Sequence, residues 1–132
     1  MKAILLAGGK GERLRPYTND RPKGMVEILG IPILGYQMQW LKTSGVKDVY
    51  ISCGYLHEVI ENYFGDGARW GMNISYVVED EPLGRGGGIK KAMKAIPEPW
   101  DEVIAANGDI ITMADLQAMM DAHTRRGMLA SI

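Results

Sequence analysis

A single cysteine, Cys53, stands among the 132 residues. One thiol excludes an intrachain disulfide and a cysteine-based zinc site. An excess of charge of one sign is also missing: 15 basic residues face 16 acidic ones, for a formal net charge of −1. A protein that binds nucleic acid by neutralising phosphates carries a basic surplus, so that class of partner is set aside. No apolar run approaches the length of a membrane span, and Met1-Lys2-Ala3 leads into an apolar strand without a signal-peptide pattern. These absences predict a cytoplasmic protein with no membrane partner. Internal repeats and low-complexity segments are lacking as well. The remaining composition, 46% hydrophobic and 23% charged, is ordinary for a globular chain, and the length fits one domain over residues 1–132.

What the chain does have is punctuation: 17 glycines and six prolines divide it into short periodic pieces. Strands are predicted over residues 2–7, 48–53, 73–78 and 102–106, with a short extended piece over 25–29. Pro32 suits the start of a helix that carries Leu34, Met38 and Leu41 and stops near Gly45. A second helix carries Val59, Ile60, Tyr63 and Phe64. After a loop over residues 79–88, a third places Ile89, Ala92, Met93 and Ile96 on one face. Thr112 and Asp115 resemble a capping box ahead of a fourth, which has Leu116, Met119, Met120 and His123 as its stripe and Gly127 as its stop. Strands alternating with helices predict an α/β fold, a Rossmann-like three-layer α/β/α arrangement with a mostly parallel sheet. Residues 128–132 read as a fifth strand left unfinished. The expectation is therefore a truncated version of a longer domain, whose open sheet edge favours pairing with another chain, a homo-oligomer among the options.

In such sheets the ligand crevice lies at the carboxyl ends of the strands. Four loops follow strands: Gly8 to Lys23, Gly54-Tyr55, Glu79 to Gly88, and Asn107-Gly108-Asp109. The first is the most informative. Gly8, Gly9 and Gly11 suit a turn whose N–H groups point at an anion, and Lys10, Arg13, Arg15, Arg21 and Lys23 crowd the same segment. Taken alone, a glycine turn of this kind can equally be a plain strand-to-helix connection. A Walker loop fails for want of a lysine followed by Ser/Thr at the right spacing. The dinucleotide fingerprint fails because Leu14 stands where the third glycine is needed.

The stretch Leu6-Ala7-Gly8-Gly9-Lys10-Gly11-Glu12-Arg13-Leu14-Arg15-Pro16-Tyr17-Thr18, closed by Arg21-Pro22-Lys23, resembles the signature of the sugar-1-phosphate nucleotidylyltransferases. Leu29 to Leu34, Gly54-Tyr55, Tyr63 to Gly67, Glu81 to Gly84 and Asn107 to Asp109 follow in that family's order, so the resemblance covers nearly the whole chain. Asn19 to Lys23 and Gly65 to Gly67 are most similar to the mannose- or heptose-1-phosphate guanylyltransferase branch, which implies GTP in preference to other nucleotides. The resemblance implies transfer of a nucleotidyl group from a nucleoside triphosphate to a sugar 1-phosphate, with release of pyrophosphate. It implies that Leu6, Ala7, Gly8, Gly9 and Gly11 hold the nucleotide, together with Glu79, Gly84, Gly87 and Asn107. It further implies that Arg13 holds the β and γ phosphates, that Lys23 lies near the α-phosphorus, and that Asp109 binds magnesium. The chemistry is consistent, since such transfer needs positioning and charge neutralisation rather than a protein nucleophile. Two departures stand out. Arg85 and Gly86 replace the family's usual Thr-Ala pair, and Gly24 stands where a proline commonly follows the lysine. A different class of function, a non-catalytic nucleotide-binding or regulatory subunit of the same fold, is the alternative.

Other residues take plainer readings. Arg15 and Arg21 are expected to brace the loop or face solvent. Glu79, Asp80 and Glu81, read without the resemblance, form a solvated acidic turn. His57 and His123 lack a second ligand at a useful spacing, and Cys53 reads as a small buried strand residue.

Overall fold

A computed structural model describes residues 1–132. Its main sheet holds four strands: β1 (Lys2–Ala7), β4 (Asp48–Cys53), β5 (Asn73–Val78) and β6 (Val103–Asn107). They lie in the order β5-β4-β1-β6, and every pairing is parallel. Parallel neighbours need crossovers, which α1 (Ile33–Thr43), α2 (His57–Phe64) and α3 (Gly84–Ala95) supply, while α4 (Leu116–Arg126) follows β6. Two short strands, β2 (Glu27–Ile28) and β3 (Ile31–Pro32), form a separate antiparallel hairpin.

Side chains alternate across a strand, so a strand covered on both faces is apolar at every position. The central strand β1 shows this directly. Ala3, Leu5 and Ala7 join Val49, Ile51 and Cys53 of β4 against Leu34, Met38 and Leu41 of α1, Ile60 and Phe64 of α2, and Leu116 of α4. Ile4, between them, turns to the opposite face, where Tyr50, Val77, Ala92 and Ile96 pack with it under α3. The result is the expected three-layer α/β/α arrangement.

Three expectations need correction. The loop after β5 is shorter than predicted, because α3 begins at Gly84 and takes in the whole glycine run. Glycine is a poor helix former, but here Gly88 is required by its surroundings: a Cβ would come within 2.8 Å of Glu79 Oε1 and 3.1 Å of Ser52 Oγ. The cap of α4 is Asp115 itself, whose carboxylate accepts from the Ala118 N–H at 2.9 Å, while Thr112 Oγ1 accepts from Ala114 N–H instead. Residues 128–132 form no strand, because nothing in the structure pairs with them and Leu129 and Ile132 are fully exposed. A smaller adjustment concerns Met25, which lies in a 3-10 turn (Lys23–Met25) rather than in an extended piece.

Candidate functional site at the carboxyl ends of the strands

The loops that leave β1, β5 and β6 enclose a cleft of about 280 Å³. Leu6, Ala7, Gly8 and Gly9 form its floor at the end of β1, and Asn107 and Asp109 form one side at the end of β6. Lys23 and Gly24 reach in from their 3-10 turn, and Glu79, Pro82, Gly84 and Arg85 complete the opposite side.

The loop that starts from this floor is rich in unspent donors. The backbone N–H groups of Gly8, Gly9, Lys10 and Gly11 donate to no backbone carbonyl. Such a row of N–H groups is a natural anion cradle. The loop is nevertheless held in shape. Buried Thr18 donates through Oγ1 to the Gly11 carbonyl at 2.8 Å, and the Tyr55 hydroxyl donates to the Thr18 carbonyl at 3.2 Å.

Lys23 and Asp109 meet across the chain, Nζ to Oδ2, at 2.5 Å. Asp109 is positioned by the turn it occupies. Gly108 donates its N–H to the Leu6 carbonyl at 2.9 Å, and a Cβ there would lie 2.9 Å from Leu34 Cδ1. Only glycine lets this turn pack so closely on β1 and α1. Beyond it, Gln37 Nε2 donates to the Ile110 carbonyl and Trp40 Nε1 to the Ala114 carbonyl, both at 2.8 Å, which ties the following segment to α1.

Glu79 is not part of a loosely solvated turn, as the plain reading of residues 79–81 expects. Its Oε1 accepts from the Ser52 hydroxyl at 2.6 Å and its Oε2 from the Leu83 N–H at 3.1 Å. Two donors from different elements fix the carboxylate at the cleft wall. Asp80 and Glu81 are exposed, as that reading has it.

Nine of the twelve residues singled out from the sequence therefore line one cleft: Leu6, Ala7, Gly8, Gly9, Lys23, Glu79, Gly84, Asn107 and Asp109. Arg13, Gly11 and Gly87 do not. Arg13 lies on the exposed 3-10 turn Glu12–Leu14, without an ion pair, and Gly11 precedes it as the cap. Gly87 is inside α3, packed toward Leu83. The structure adds Gly24, Pro82 and Arg85 to the lining. Arg85 and Gly24 were visible in the sequence as departures from the family pattern.

Arg21, His57, His123 and Cys53 have structural surroundings. Arg21 is engaged by Asp20 at 3.0 Å and Glu27 at 3.5 Å, which braces the loop. His57 lies 2.9 Å from Glu61, and His123 lies 2.9 Å from Ser131. Burial, reinforced by Glu61, Glu79 and Glu58, pushes the Cys53 thiol up to about 12. It is protonated and inert at neutral pH.

No group of three or more His, Cys, Asp and Glu side chains gathers into a cage for a metal. Magnesium does not need one, since it is commonly held by one or two carboxylates together with phosphate oxygens and water. Asp109 offers one such oxygen ligand at the cleft wall, with only Lys23 engaging its carboxylate. That donor set fits magnesium arriving with a phosphate ligand.

Comparison with known proteins agrees with this geometry. The family model for nucleotidyl transferase matches residues 2–132. A D-glycero-alpha-D-manno-heptose 1-phosphate guanylyltransferase of Aneurinibacillus thermoaerophilus is 43% identical over 93% of this chain and 52% of its own length. A UTP–glucose-1-phosphate uridylyltransferase of Synechocystis is 35% identical over 100% of this chain and 36% of its own. Among solved structures, HddC from Yersinia pseudotuberculosis complexed with GMP-PN superposes with a TM-score of 0.80 at 33% identity, covering 92% of this chain and 53% of that one. The chain thus spans about half the length, or less, of the relatives it matches. With the signature loop, the cleft and the fold in agreement, the chain belongs to the nucleotidyl transferase family.

Proposed function

We propose that residues 1–132 are the nucleotide-binding N-terminal part of a nucleotidyltransferase domain, acting on a nucleoside triphosphate and a sugar 1-phosphate. The observation that carries this reading is the cleft itself. It brings the unspent N–H groups of Gly8 and Gly9, a lysine and a carboxylate suited to magnesium together at the carboxyl ends of parallel strands, with the free N–H groups of Lys10 and Gly11 following in the same loop.

A phosphate oxygen of the sugar 1-phosphate attacks the α-phosphorus of the triphosphate. The bond from that phosphorus to the oxygen bridging to the β-phosphate breaks, and pyrophosphate leaves with the electron pair. The N–H groups of Gly8 to Gly11 and the ammonium of Lys23 offset the charge on the reacting phosphates. Leu6, Ala7, Glu79, Gly84 and Asn107 hold the nucleoside, while Gly87 acts one step away by allowing the close start of α3. Arg13, exposed on the turn that follows the Gly8–Gly11 loop, takes the β and γ phosphates, its fork suited to a pyrophosphate. Asp109 would hold magnesium, which would supply charge neutralisation for the phosphates. Lys23 leaves Asp109 for the α-phosphate as the ligand enters. The cytoplasm, where nucleoside triphosphates are plentiful, is the location this reading carries. A homo-oligomer is the further partner this reading admits.

Calorimetric titration with each of the four nucleoside triphosphates, with and without magnesium, tests the assignment. The expected result is binding of at least one triphosphate, tightened by magnesium, with slow or no pyrophosphate release when mannose 1-phosphate is added. Absence of binding to all four overturns it.

A further inference from the structure

The cleft has two chemically different ends. The sheet order β5-β4-β1-β6 puts Asn107 and Asp109, with Lys23, on the β6 side, and Glu79, Pro82 and Arg85 on the side of β4 and β5. Parallel strands lie ~4.8 Å apart; β6 is two spacings from β4, whose Ser52 holds the Glu79 carboxylate, and three from β5, so roughly 10 to 14 Å separates the ends. That is the scale of a nucleotide laid out from its α-phosphate to the far edge of its base. If the phosphates lie at Lys23 and Asp109, the base lies at Glu79 and Arg85.

Arg85 is exposed in the first turn of α3 and lines the cleft. No carboxylate lies within ion-pair distance of it. Lys23, the other cation of the lining, is already paired with Asp109. The guanidinium is thus the uncommitted donor at the base end. Opposite in charge, Glu79 is pinned by Ser52 and Leu83, and each of its oxygens retains a lone pair for a further donor.

We infer that Arg85 is a specificity-determining residue that selects guanine, an inference that rests on the nucleotidyl-transfer reading of the same cleft. A guanidinium fork donates two parallel hydrogen bonds to adjacent acceptors. Guanine presents such a pair, O6 and N7, along one edge. Adenine puts an amino donor beside N7 and repels the fork, cytosine exposes an amino donor, and uracil has O4 but no N7. Guanine also carries N–H donors on its opposite side, which suits a fixed carboxylate such as Glu79. The two charges at this end of the cleft match one base and mismatch the others.

The test is calorimetric titration of the 132-residue chain and of its Arg85→Thr and Arg85→Lys variants. The probes are GTP, ATP, UTP and CTP, together with 7-deaza-GTP, all with magnesium. The wild-type chain is expected to bind GTP about tenfold or more tightly than ATP, the discrimination of one bidentate contact. Arg85→Thr is expected to lose about tenfold for GTP and nothing for ATP, and Arg85→Lys, which keeps the charge without the fork, to lose most of the same preference. 7-Deaza-GTP, which lacks the N7 acceptor, is expected to bind the wild type more weakly than GTP does and to bind Arg85→Thr equally well. Equal weakening for all triphosphates in Arg85→Thr would mean a phosphate contact and overturns the inference. So does a GTP preference that survives the substitution, or a wild-type chain that binds triphosphates without preference. Failure of the wild-type chain to bind any triphosphate overturns the parent reading instead. Arg85 has no partner in the fold, so the variants retain the far-ultraviolet circular dichroism of the wild type.

Discussion

Lys23 and Asp109 are separated by 86 positions in the chain and by 2.5 Å in space. Each side chain is about a third exposed, so the pair contributes at most about 1 kcal/mol to stability. Its importance is chemical. Asp109→Asn is expected to leave the chain folded while abolishing the magnesium enhancement of triphosphate binding, a loss of about tenfold (~1.4 kcal/mol) in affinity measured at saturating magnesium. An enhancement that persists in the variant would remove Asp109 from the metal site. Both residues were legible in the sequence, because each closes a family motif. Their pairing was not, since a contact between distant positions depends on the parallel arrangement of β1 and β6. Arg13 shows the opposite case: its motif is clear, yet it lies outside the cleft, since nothing packs an exposed arginine on a short turn toward it. Two groups, the buried Cys53 and the half-buried Tyr76, carry a further consequence. Burial first, then nearby carboxylates, lifts the Cys53 thiol from 9.0 to about 12, and burial likewise lifts the Tyr76 hydroxyl from 10.0 to about 12. Between these values the unfolded chain has lost protons that the folded chain keeps. Stability is therefore complete below about pH 9 and falls as pH rises toward about 12. Urea midpoints measured from about pH 8 to 11 should decline steadily, and a flat profile contradicts the burial of both groups.

At the scale of elements, β1, β4 and β5 were predictable because their apolar runs end at glycine or acidic loops. Helix α1 was predictable because Pro32 and the Leu34, Met38, Leu41 spacing mark its start and buried face. The start of α3 was hidden by its own composition. Glycine reads as loop, but position 88 in the helix is glycine because the Glu79 carboxylate and Ser52 occupy the space a side chain would fill. A local propensity lost to a tertiary requirement, and the requirement serves the cleft. The cap of α4 was misassigned for a simpler reason, since Thr112 and Asp115 are both good capping residues and only Asp115 adjoins the first turn. Asp115→Ala is expected to lower stability by about 1 kcal/mol, read as a shift in the denaturation midpoint without a change in nucleotide affinity. A simultaneous loss of nucleotide binding would show that α4 couples to the cleft.

For the molecule as a whole, the alternation of strands and helices was enough to predict the three layers, because a parallel sheet leaves few other ways to cover both faces. Residues 128–132 could not be read this way. A strand exists through its ladder partner, and an apolar segment of five residues carries no information about whether a partner is present. The chain is built around one edge of its sheet, where loops from the ends of β1, β5 and β6 turn inward on a single cleft. The central claim is that a triphosphate with magnesium occupies this cleft. Nuclear magnetic resonance of the isotope-labelled chain, titrated with GTP and magnesium, tests it most directly. The account predicts that the amide resonances of Gly8, Gly9, Lys10, Gly11 and Asp109 shift together and saturate with the ligand, while those of α4 stay in place. Unchanged glycine-loop amides, or shifts gathered instead around α4 and the outer edge of β6, would contradict it.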